Sequence, residues 1–161
     1  MLIKSLLTIF VGAMLPVGEL RAVIPLGLIL YKLNPLLVLV VGVSGNIIPI
    51  FVIYHLADVV IGWAARSKNW LAQMITKVIS KTRLVLNHKH QHKGMVALLI
   101  LAATPVPLLG GIWTATVAAY LLNIPLKKAW PYLVVGALLS GVIITVSVLG
   151  VVNLGRLMSL R

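Results

Sequence analysis

The sequence contains no cysteine, which excludes disulfides, thiolate metal sites and cysteine nucleophiles. Acidic side chains are almost as scarce: Glu19 and Asp58 stand alone against 14 Lys and Arg in 161 residues. Two carboxylates leave little for general acid–base chemistry, and no hydroxyl is partnered in sequence by a histidine and an acid. The chain therefore does not read as an enzyme and calls for no cofactor. Charge of either sign is thin, 10% of residues, where soluble domains carry roughly 25%. Apolar residues make up 61%, and the mean hydropathy is strongly positive. A soluble fold of this size cannot hide so much apolar surface. The composition specifies an all-α integral membrane protein whose first partner is the lipid bilayer.

The net charge of +12 suggests nucleic acid, but the charges do not form a polar domain. Half of the 14 Lys and Arg fall within residues 66–93. That pattern fits a cytoplasmic loop under the positive-inside rule and contact with anionic lipid headgroups, and it argues against nucleic-acid binding. At the N-terminus, Lys4 and an apolar run to Leu15 imitate a signal peptide. PVGELR follows where a small-residue cleavage site would stand, so the segment is expected to be retained.

About 20 apolar residues span a bilayer as a helix. Leu36–Ile61 and Pro131–Val152 meet that length. Residues 5–33 and 94–122 are apolar too, but each is interrupted near its middle, by PVGELR and by TPVPLLGG (104–111). Proline removes an amide donor and glycine loosens the backbone, so the stretches 16–25 and 104–111 are expected to be non-helical. The flanks are about half a bilayer long. A shift of 89 residues lays Pro16-Val17 on Pro105-Val106, Leu20 on Leu109, Tyr31 on Tyr120 and Leu33-Asn34 on Leu122-Asn123. Each half then reads as a broken segment, a turn and a full span. The expected organisation is one membrane domain: a first repeat over about 1–61, a basic amphipathic connector over about 62–93, and a second repeat over about 94–161. If the broken segments turn back as re-entrant hairpins, the two repeats are inverted and pseudo-symmetric. If the segments cross, they are not, and charge does not decide between these. Paired interrupted helices are a signature of secondary transporters, with the substrate at the breaks.

Within the connector, Trp70, Leu71, Met74, Ile75, Val78 and Ile79 recur at helical spacing between Lys77, Lys81 and Arg83. This reads as an amphipathic helix at the headgroups, over 68–86. His88, His90 and His92 alternate between lysines on the adjoining loop. Their spacing is not that of a zinc site, so they fit a pH-responsive basic strip and no metal is assigned.

Intramembrane charges are costly and mark function by default. Glu19 is the candidate proton carrier and Arg21 the contact for an anionic group, the bland alternative being an ion pair that fixes a hairpin tip. His55 and Asp58 share a helix face at i, i+3 and either extend a proton path or sit solvated at the interface. Asn46, beside Gly45 and before Pro49, lines a cavity or packs between helices. Thr104, Pro105, Pro107, Gly110 and Gly111 form the second tip, whose open backbone groups suit a headgroup or ion. Trp113, Thr114 and Thr116 follow it and either line the same cavity or pack against helices.

The stretches GELRAVIPLGLIL and TPVPLLGGIWTATVAAYLLNIPLKKA resemble the putative small multidrug export protein family, itself similar to the DedA/VTT superfamily. The motif E-x-R-x-x-x-P at Glu19, Arg21 and Pro25 carries the resemblance best. It implies two facing re-entrant hairpins and a multi-pass place in the cytoplasmic membrane of a bacterium or archaeon. It also implies proton-linked movement of lipid-like substrates, with Glu19 at the acidic position of the first hairpin. The superfamily's arginines in or after the second hairpin have no match here before Lys127-Lys128, which leaves Arg21 as the only deep cation. Three functions are compatible with these residues. The first is a proton-linked transporter or flippase for a small amphipathic anion such as a lipid phosphate. The second is export of hydrophobic cationic drugs with Glu19 as counter-charge. The third is a non-transporting scaffold that docks through 68–86. A homo-oligomer is compatible with any of them.

Overall fold

A computed structural model describes residues 2–16, 18–66, 91–105 and 110–159. Its elements are α1 (Leu2–Met14), α2 (Glu19–Pro25) continuing into a π-helical turn (Leu26–Leu30), α3 (Pro35–Arg66), α4 (Gln91–Ala103), α5 (Ile112–Leu121) and α6 (Leu126–Ser159). No strand occurs among the described residues. The amphipathic 68–86 stretch, His88, His90 and Pro107 lie outside the described residues, while His92, expected on a loop, falls in the first turn of α4.

Two stretches, Pro35–Ala57 and Leu126–Gly155, are long and apolar enough to cross a membrane. The helices around them are not: α1 and α4 have 13 residues each and α5 has 10, about 15–20 Å of helix. Bulky apolar side chains point outward along the long helices, among them Val40 and Val52 on α3 and Val135, Leu139 and Val146 on α6. Such a surface suits lipid rather than water. This is an all-α membrane protein.

The short helices pair antiparallel. Gly12 of α1 lies against Val23 of α2, and Ile9 lies against Gly27 further back. The chain turns at Leu15, Pro16 and Gly18, where Leu15 N–H donates to the Gly12 carbonyl at 3.3 Å and Gly18 abuts that same carbonyl. α4 and α5 pair likewise: Gly111 N–H donates to the Leu101 carbonyl at 3.0 Å, and Gly94 lies beside Ile124. α3 rises along the first pair, from Val38 beside Gly27 to Gly42 beside Leu20. It then continues to the second pair, where Ile50 joins Leu98, Ala102, Ala115 and Ala119 in one core cluster. α6 runs the other way. Gly136 packs on Leu99 and Ala102, Gly141 on Leu20, Leu39 and Val43, and Ile144 joins the core of the first pair. The turning points of the two pairs therefore face each other halfway along the long helices.

Three expectations need correction. The stretch 16–25 is not non-helical throughout: the break ends at Gly18 and α2 starts at Glu19. Pro25 does not stop that helix, because the helix widens past it. Tyr31 N–H reaches the Leu26 carbonyl at 3.1 Å, five residues back, and Leu33 N–H reaches that of Gly27 at 3.0 Å. Pro25 thus sits inside a continuous helix whose next turn is π-helical. Lys32, at φ 50, then closes the helix, as Asn123 at φ 56 closes α5. There Ile124 N–H bonds the Ala119 carbonyl at 3.1 Å, a Schellman closure. The helices also run past the spans read from hydropathy, although the apolar stretch of α3 itself is Pro35–Ala57. α3 is 32 residues and α6 is 34, since Pro131 is accommodated inside α6 and Lys127-Lys128 form part of its first turn. Finally, Gly45 does not loosen α3, which stays helical through Pro49.

Gly45 serves close approach instead: a Cβ there would press on the Phe10 backbone carbonyl. Gly45→Leu is expected to cost about 1–3 kcal/mol by overpacking, read as a lowered melting temperature in detergent. Gly62→Leu, with nothing within 4 Å of its added Cβ, should melt as the parent does.

Candidate functional site

Glu19 opens α2 in the left-handed region at φ 42, a conformation that a non-glycine residue keeps only when its surroundings impose it. Its N–H is held by the Leu15 carbonyl at 3.1 Å, and Ala22 N–H takes up the Gly18 carbonyl at 3.1 Å. On a regular helix, residues i and i+2 diverge. The turned backbone of Glu19 removes that obstacle, and its Oε2 lies 3.1 Å from Arg21 Nη2. Glu19 is buried and the Arg21 side chain is 21% exposed.

The second break meets this pair. Arg21 Nη2 donates to the Gly110 carbonyl at 2.5 Å. Trp113 N–H, in the first turn of α5, donates to Glu19 Oε1 at 3.4 Å. Gly111 lies between them at φ 103. A Cβ on Gly111 would collide with both carboxylate oxygens of Glu19 and with Arg21 Nη2. Only glycine satisfies both the backbone angle and the space. One carboxylate, one guanidinium, one carbonyl and one amide thus close a polar bridge between the two helix pairs. The charges cancel locally, which is what an apolar interior requires of them.

The remaining candidates divide. Thr114 is exposed beside the bridge, its hydroxyl 3.5 Å from the Gly110 carbonyl. Thr104 bonds its own helix at the Ile100 carbonyl, 2.6 Å away, while its backbone carbonyl packs against Gly110. Pro105 is exposed. Thr116 is fully buried and donates to the Ile112 carbonyl on its own helix, so it packs rather than lines a site. Asn46 is buried on α3, and its Oδ1 has no partner among the described residues; the indole Nε1 of Trp113 is likewise buried without one among them. His55 is exposed near the far end of α5 from Glu19, where neighbouring Tyr54 bonds the Ile124 carbonyl. The side chain of Asp58 lies outside the described part of the chain.

The family described as Putative small multi-drug export protein matches residues 19–143. The chain belongs to that family. No curated protein and no solved structure matches it. The family match begins at Glu19 itself and includes Arg21, Gly110, Gly111 and Trp113. The family's name and the two apolar helices make this small multi-drug export family member a membrane transport protein.

One feature of the protein escapes sequence reasoning altogether. An open cavity of about 920 Å³ lies between α3 and the α5–α6 turn. Its walls come from residues some 70 positions apart, exemplified by the Tyr54–Ile124 bond, so no local motif announces it.

Gly111→Ala in this family member should forfeit the bridge. The expected outcome is a destabilisation of about 1–3 kcal/mol, from the positive φ and the collision together. It would be measured by thermal unfolding in detergent, with Gly150→Ala, whose Cβ meets nothing within 4 Å, unchanged.

Proposed function

We propose that the protein is a proton-linked secondary transporter or flippase that moves a small amphipathic anion, such as a lipid phosphate, across the cytoplasmic membrane. The observation that carries this reading is the sharing of one guanidinium, Arg21, between the buried carboxylate of Glu19 and the Gly110 carbonyl. Arginine matches phosphate and carboxylate oxygens with its planar fork. An incoming anion would compete with Glu19 for that fork. A buried carboxylate that loses its counter-charge in an apolar setting takes up a proton rather than remain ionised. Anion binding and proton uptake are then one event, and breaking the Gly110 contact frees one helix pair from the other.

On this reading the two helix pairs are re-entrant hairpins in an inverted, pseudo-symmetric repeat. Under the 89-residue shift Arg21 falls on Gly110, and these two residues touch. Positions related by a two-fold axis approach each other only near that axis, so the contact supports tips meeting at it. Alternating access follows from rocking one repeat against the other about the fixed site. Thr114 and the unpartnered polar atoms of Asn46 and Trp113 supply further polar lining. Export of a hydrophobic cation with Glu19 as counter-charge is less favoured, because Glu19 is already engaged by Arg21 and Trp113 N–H.

Reconstituted protein tests this. Arg21→Ala should lower uptake of a fluorescent phosphate lipid at least about 10-fold, the equivalent of one charge-assisted contact. Glu19→Gln should keep binding while transport loses its response to an imposed proton gradient. Normal phosphate-lipid uptake by Arg21→Ala would refute the mechanism.

A further inference from the structure

The open cavity lies at the other end of α5 from the polar bridge. Tyr120 is eight residues beyond Ile112, about 12 Å along that helix. On α3, Phe51, Tyr54 and His55 recur at i, i+3 and i+4, so they form one stripe facing the cavity. Tyr120, Asn123 and Ile124 form the opposite wall. The rings of Tyr54 and Tyr120 meet edge to face, with centroids 5.6 Å apart and planes at 75°. The Tyr54 hydroxyl donates to the Ile124 carbonyl at 2.8 Å, which fixes that ring in place. Phe51, 49% exposed, completes the α3 wall. The result is a rigid aromatic corner, open on one side.

Its chemistry is selective. Among the described residues no Lys or Arg lines the cavity, and its polar groups are the His55 imidazole, the Asn123 carboxamide and the tyrosine hydroxyls. The wall at Tyr120–Ile124 is also the C-terminal end of α5, where backbone carbonyls carry partial negative charge. The first amides of α6 lie just past Pro125 and oppose that field, so the helix ends do not decide the preference. The ring faces do: aromatic quadrupoles attract diffuse cations and repel anions.

We propose that this cavity binds an organic cation, a quaternary ammonium carrying an apolar group, with the cationic head against Phe51, Tyr54 and Tyr120. The site is separate from Arg21 and has the opposite charge preference. It supplies a place for a hydrophobic cation that the occupied carboxylate of Glu19 does not. Its volume of about 920 Å³ admits a ligand of drug size.

The test is equilibrium binding of benzyltrimethylammonium to the purified full-length protein in detergent. Saturable binding is expected, with the uncharged isostere neopentylbenzene at least about 10-fold weaker. Phe51→Leu should weaken the cation about 3- to 30-fold, the loss of one ring face, while Phe51→Trp retains it. Phe51 is half exposed, so neither change threatens the fold; Tyr120→Leu, with its melting temperature checked, gives a second reading of the same loss. Arg21→Ala should leave cation binding unchanged, which separates this site from the proposed transport mechanism. Four results would each overturn the proposal: no saturable binding, equal binding of neopentylbenzene, preferential binding of benzenesulfonate, or indifference to both Phe51→Leu and Tyr120→Leu.

Discussion

Among the side chains described, Arg21 is the one Lys or Arg that is not exposed, and the arrangement of the two helix pairs turns on how it is satisfied. A guanidinium in an apolar setting needs a counter-charge and acceptors for its remaining donors. Glu19 provides the charge and the Gly110 carbonyl provides an acceptor from the other half of the chain. That requirement explains several local oddities together. Glu19 occupies a left-handed backbone position, Gly111 cannot carry a Cβ, and neither break is helical at Leu15, Pro16 and Gly18 or at 104–105. Backbone freed from helical bonding survives at membrane depth only when protein or a wet cavity shelters it. Here the described residues of the two breaks meet each other through Arg21, Gly110 and Gly111.

The long helices make this possible because each serves both pairs. α3 contributes Val38 and Val43 to the first core cluster and Ile50 to the second, while α6 contributes Leu133 and Ala137 to the second and Ile144 to the first. Their glycines let the short helices come close: Gly42 meets Leu20 and Gly136 meets the backbone around Leu99. In lipid, where apolar contact gives no special advantage over the solvent, such close packing and the polar bridge carry the association. A change that opened the bridge would therefore loosen the pairs without unfolding either long helix.

Much of this was legible in residue types. Pro16, Gly18, Pro105 and Gly110 mark both breaks correctly, and the rarity of acids singled out Glu19. The start of α2 was not legible, because Pro16 and Pro25 look like joint helix breakers. Pro25 is instead followed by a π-turn, in which Gly27 packs against Val38 and Ile9. Thr116 carried no sign in sequence that its hydroxyl would return to its own helix. The partner of Arg21 was visible only indirectly, in the 89-residue shift that lays it on Gly110. The aromatic corner of Tyr54 and Tyr120 was not visible at all, since it exists only once α3 reaches the second helix pair.

The bridge itself can be observed directly. Solid-state NMR on the reconstituted protein, with ¹⁵N in arginine side chains and ¹³C in glycine carbonyls, reports guanidinium–carbonyl proximity through dipolar dephasing. The account predicts a dephasing signal that Arg21→Lys removes. A transport-active sample with no such signal, or one whose signal survives Arg21→Lys, would contradict it.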